Sequence, residues 1–239
     1  MRSNSKLRTS KILVILTLAL ALCGYGAVSA QAEPTIDFGI IAPTPGSIAY
    51  GGTGVVGDAP MIGTNIQVDN VVGTDTPFNS GGSLPLGNGV LNFTTGTFSG
   101  GTSQWNFASG GTITLDGTLD FDGAGPNLPI TATWLTGTLS TATVVPFGGG
   151  LNLTFSAFTD LKDPRLIAYF FGPIFDPLTQ FSGLFHIDFN ASGIAPGSFT
   201  STQLGSGDVL NQVPIPPTAL LLGSGLLGLV GLGWRRRKQ

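Results

Sequence analysis

Between residues 33 and 212 this chain of 239 residues offers no stretch of ten or more residues with an apolar stripe at helical spacing. What recurs instead are short runs in which Val, Ile, Leu or Phe alternates with Thr, Ser or Asn, each run stopped by Gly, Asn, Asp or Pro. Two-residue alternation between turn formers is the pattern of half-buried β-strands, so the choices narrow to sheet. Residues 65–73, 89–100, 111–123, 130–146, 151–160, 165–172 and 183–193 are the predicted strands. Within 111–123, Ile113, Leu115, Leu119 and Phe121 take one face, given a turn at Asp116-Gly117. Residues 41–60 hold too many Gly and Pro for a central strand and read as loop, with one short strand at the end. With no helix between strands, the expected body is all-β, a β-sandwich or jelly roll.

Charge is segregated along the chain. Four cations lie within residues 1–11 and four more at 235–238, whereas all 13 acidic residues fall in the body beside only Lys162 and Arg165. An acidic body argues against nucleic acid as a partner. The leading cations precede an apolar run at 12–22 and then small residues, the order of a secretory signal peptide, which makes 1–32 an expected signal helix that is removed. Cleavage fits after Ala30 or Ala32, with Ala32 preferred. The only cysteine, Cys23, lies in that segment, so the exported body has no disulfide and no thiol ligand.

Few residues of the body suggest chemistry. In the run 183–193, His186, Asp188 and Asn190 share one strand face, which could be half of an acid/base or metal site or simply a polar solvent face. Trp105 and Trp134 could stack on sugar rings or fill a core. Asp116, Asp120 and Asp122 lack the order of a calcium loop and read as turn residues, as do Asp160, Asp163 and Asp176. The body has one Glu, Glu33, and neither a Gly-x-Ser-x-Gly elbow nor a Gly-x-x-x-x-Gly-Lys phosphate loop. The expectation is therefore a protein without enzymatic activity, cofactor or metal.

The tail, 213–239, is the most specific segment. Pro214, Pro216 and Pro217 close off the body, and 218–234 follows as 17 residues without a charge. As a helix it would measure about 26 Å, enough for the hydrocarbon core of a bilayer. Arg235, Arg236, Arg237 and Lys238 would then stay cytoplasmic, leaving the body on the far side. A proline signature (Val213, Pro214, Ile215, Pro216, Pro217), an apolar run "LLLGSGLLGLVGLG" and terminal arginines, in that order, resemble the PEP-CTERM sorting domain of Gram-negative bacteria. Ile215 stands where the signature has Glu, similar to Val-Pro-x-Pro variants of this tail.

That resemblance implies recognition by an exosortase-type membrane protease, transient anchoring in the inner membrane with the body periplasmic, and then passage to the cell surface or extracellular space. It also implies association with exopolysaccharide or biofilm. It covers only the tail. For 33–212 the expected role is structural or adhesive, with a secreted carbohydrate-binding module or glycoside-active enzyme as the alternative.

Overall fold

A computed structural model describes residues 33–123, 128–193 and 195–213; the expected signal segment and the tail beyond Val213 lie outside them. The strands are β1 (Thr35–Ile40), β2 (Ser47–Tyr50), β3 (Pro60–Thr74), β4 (Ser83–Gly100), β5 (Trp105–Phe107), β6 (Thr112–Leu119), β7 (Ile130–Leu139), β8 (Ala142–Phe147), β9 (Gly150–Lys162), β10 (Phe181–Ser192) and β11 (Phe199–Gln212). Among the described residues one helix, α1 (Pro164–Phe171), separates β9 from β10.

All pairings are antiparallel and belong to one sheet. Strands β1 and β2 both pair with β3 and β11 at successive heights, so together they form one interrupted strand. Likewise β5 and β6 share β4, and β7 and β8 share β9. The eleven segments therefore occupy eight positions, each hydrogen-bonded to its sequence neighbours, and the last closes on the first through β11–β1 and β11–β2. This is a closed up-and-down barrel.

The all-β body thus stands, but the pairing is neither that of a two-sheet sandwich nor that of a jelly roll. The cause lies in the strands' length and bends. Strands β3 and β4 run 15 and 18 residues, and register shifts, among them Gly63/Ile66 in β3–β4 and Gly87/Val90 in β4–β6, mark where they curl. Closure also leaves no row of unpaired backbone groups along the sides of the sheet.

Two predicted elements are overturned. Residues 165–172, predicted as strand, instead belong to α1 and its C-terminal cap, Gly172. Asp163 caps the helix start by accepting from the backbone N–H of Arg165 at 2.8 Å, and Pro164 fits the first turn, where no N–H is needed. Leu166, Ile167, Phe170 and Phe171 make its buried stripe. Asp116-Gly117 is not a turn: β6 runs through it, and the Asp116 carboxylate accepts from the Thr133 hydroxyl of the neighbouring strand. Strands β1, β5 and β11 were not predicted, and β2 falls inside the 41–60 segment rather than at its end, where the short strand was expected.

Side chains alternate between lumen and exterior. In β10, Phe181, Phe185, Ile187 and Phe189 are buried while His186 and Asn190 face solvent. An apolar lumen with a polar exterior reverses the pattern of outer-membrane barrels. Two glycines seat aromatic rings: a Cβ on Gly63 or Gly183 would lie 2.1 Å from Phe93 or Phe158. Among the described residues no helix is long and apolar enough to cross a membrane.

The barrel has two unlike ends. Helix α1, the connection 75–82 and residues 120–123 and 128–129 lie at one end, where Phe78 donates its backbone N–H to the Phe170 carbonyl at 3.0 Å. Both ends of the described chain meet there, since the Val213 N–H donates to the Pro34 carbonyl at 3.3 Å. The distal end carries the connections 51–59, 101–104 and 148–149, together with residues 193 and 195–198.

Candidate functional site

The lumen of an eight-stranded barrel can be packed solid or hold one small ligand. Here side chains fill it. Phe93, Phe155 and Phe185 meet across the middle with ring centroids 5.2 to 5.7 Å apart. Trp105 and Trp134 are 1% and 0% exposed, and their indole N–H groups donate to the Gly197 and Gly117 carbonyls at 2.7 and 2.9 Å. Neither offers a face to a sugar, and of the two readings the core one describes both tryptophans. A bulge at Leu115/Asp116 lets Trp134 and Leu135 both turn inward.

The lumen also holds one ion pair. Asp160 and Lys162 alternate inward along β9 near the helical end, with no exposed side-chain surface, and the ammonium bonds the carboxylate. Asp160 is therefore not the turn residue predicted. Lys162 Nζ sits 4.6 Å from the Phe181 ring centroid and 5.5 Å from that of Phe38. Burial draws the ammonium down to about 8 and raises the carboxyl, with each charge partly restoring the other.

Outside, His186 and Asp188 do share a face, but each finds another partner. His186 Nδ1 pairs with the Asp208 carboxylate on β11, while Asp188 accepts from Asn152 Nδ2 on β9 at 2.7 Å. Beside them on β1, burial raises Asp37 from 3.8 to about 6; Asp208 adds to the rise and His186 opposes it. Its Oδ1 has no hydrogen-bond partner. The folded state thus holds this proton more tightly than the unfolded chain, so Asp37 favours folding below about pH 3.8 and that contribution is lost as pH rises through about 6. Asp37→Asn is expected to flatten the stability profile between those values and to add about 1 kcal/mol at pH 7.5, allowing for solvent screening. Thermal unfolding of both proteins at pH 4.5 and 7.5 checks this; equal pH dependence would refute it.

Two exposed concave surfaces lie at the distal end. The turn between β8 and β9 forms a ridge topped by Phe147, which is 68% exposed. On one side is a groove of about 450 Å³ with Asp188, Asn190 and Gln203 on its wall. On the other is one of about 640 Å³ with Thr102, Ser103 and Pro146. An exposed ring between amide, hydroxyl and carboxylate groups can stack on a flat apolar face and hydrogen-bond its hydroxyl rim. Sequence alternation does not single out Phe147, because its exposure follows from the hairpin's position at the barrel mouth.

Among the described residues no group of three or more His, Cys, Asp and Glu side chains is placed to hold a metal ion. Ala30, Ala32 and the sorting residues Pro214, Ile215, Pro216, Pro217, Arg235, Arg236 and Arg237 lie outside the described residues. No protein-family model, curated protein or solved structure matches this chain.

Proposed function

We propose that this chain is an exported, non-enzymatic cell-surface or matrix protein, delivered by its PEP-CTERM-like tail and associated with exopolysaccharide. The position of Val213 supports this reading. Strand β11 ends at Gln212, so the proline signature begins just past the last described strand, at the barrel end shared with Pro34. A protease acting on Pro214–Pro217 would not need to open a strand of the barrel. The polar, edge-free exterior suits a cysteine-free body outside the cell.

The test is intact mass and fractionation of the native protein from hosts with and without the exosortase-type protease. Loss of residues 1–32 and of the tail, with protease-dependent release from the inner membrane, is the expected result. A tail retained in both strains would replace sorting with permanent anchoring.

The Phe147 ridge favours a second reading, a carbohydrate-binding module. Removing one stacking ring worth about 1.4 kcal/mol predicts roughly tenfold weaker binding of the host's exopolysaccharide by Phe147→Ala. Because the ring is exposed, its thermal unfolding should be unchanged. Affinity electrophoresis reads the first quantity, and equal mobility shifts for both proteins would dismiss this reading.

A further inference from the structure

We infer that, while the tail is in place, the helical end of the barrel lies on the bilayer that holds it, with the loops around α1 dipping into the lipid surface. This rests on the reading of 218–234 as a membrane span. Three features of the helical end support it, beginning with the chain path. Val213 leaves the barrel there, and the five residues from Val213 to Thr218 can span at most about 17 Å. Whichever part of the body faces the membrane, this end is therefore close to it.

The second feature is the surface itself. Ile174 is 97% exposed and Leu178 75%, both on the segment leaving α1, and Phe78 on the neighbouring connection is 52% exposed. They belong to one region, because a Cβ on Gly172 would lie 2.4 Å from the Phe78 ring. Leu128, on the third connection of this end, is 85% exposed. Large apolar side chains on every connection of one end are costly in water and favourable at a lipid interface.

The third feature is charge. Asp75, Asp120, Asp122 and Asp176 lie on these same connections, with Asp163 held by Arg165. Such an end is repelled by anionic headgroups. The contact is accordingly an apolar one, suited to zwitterionic lipid and too weak to act without the tether, which supplies a high effective concentration. Once the tail is cut, the same end releases.

The experiment uses the full chain with Cys23→Ser, carrying one fluorescent label at Ile174→Cys or, at the distal end, at Val55→Cys. Each protein is reconstituted into phosphatidylcholine vesicles containing a lipid-borne quencher. The expected result is co-flotation of both proteins, with quenching severalfold stronger at position 174 than at 55. Co-flotation with equal quenching at the two positions would overturn the docked end while leaving the membrane span standing. Absence of co-flotation would overturn both. A label at 174 already shielded before vesicles are added would assign this surface to a second copy of the chain, and so overturn the proposal as well.

Discussion

Lys162→Met is expected to lower the unfolding free energy by about 3–5 kcal/mol, because it strands the Asp160 carboxylate inside the lumen. Neither side chain of the pair has exposed surface, and Asp160 Oδ1 already lacks a hydrogen-bond partner. The aromatic rings beside the ammonium offer it cation–π contact but give the carboxylate nothing. Joint replacement by Asp160→Leu and Lys162→Met removes both charges, and should restore most of the loss, since a buried pair contributes little net stability over apolar residues of similar volume. Denaturant unfolding at pH 7 measures all three proteins. A single replacement within about 1 kcal/mol of the parent would mean that water reaches the pair.

Local alternation was legible where a strand's own residues decide its faces. Ile113, Leu115 and Leu119 point inward, and His186, Asp188 and Asn190 outward, as two-residue periodicity requires. What the sequence did not show is set by distant partners. The pairing of His186 with Asp208 depends on the β10–β11 register, and barrel closure depends on β1 meeting β11, about the whole body away along the chain. The run 199–212 is rich in Gly and Ser, and register shifts interrupt its alternation, so it carries little signal of its own. The segment 165–172 failed for a different reason. Its composition favours strand, but the Asp163-Pro164 cap and the spacing of Leu166, Ile167, Phe170 and Phe171 select helix once a barrel mouth is there to cover.

The candidate site divides in the same way. Trp105 and Trp134 drew attention as aromatic residues able to stack, yet each lies at an inward position of its strand. Phe147 drew none, because a ring beside a glycine turn has no periodic face. Its exposure arises where β8 runs past the barrel wall into the two-residue turn to β9. The tail is the opposite case. Its reading rests on order and composition alone, and the fold adds only where the chain leaves for it.

Phe155→Ala is expected to cost about 3–5 kcal/mol, at the upper end of that range. The ring is fully buried, stacked on Phe185 and edge-on to Phe93, each at 5.2 Å. Strand β4, which carries Phe93, lies across the lumen from β9 and β10, so the three rings brace opposite walls. A closed hydrogen-bonded wall cannot move inward to fill the space, and the penalty for the unfilled volume persists. A double-mutant cycle with Phe185→Ala should give a coupling of about 0.5–1.5 kcal/mol from the aromatic contact. The void left by Phe155→Ala is apolar and should stay dry, so saturating benzene is expected to raise the variant's midpoint and leave the parent's unchanged. A cost below about 2 kcal/mol with no response to benzene would show that the walls do collapse, and would count against a rigidly closed barrel.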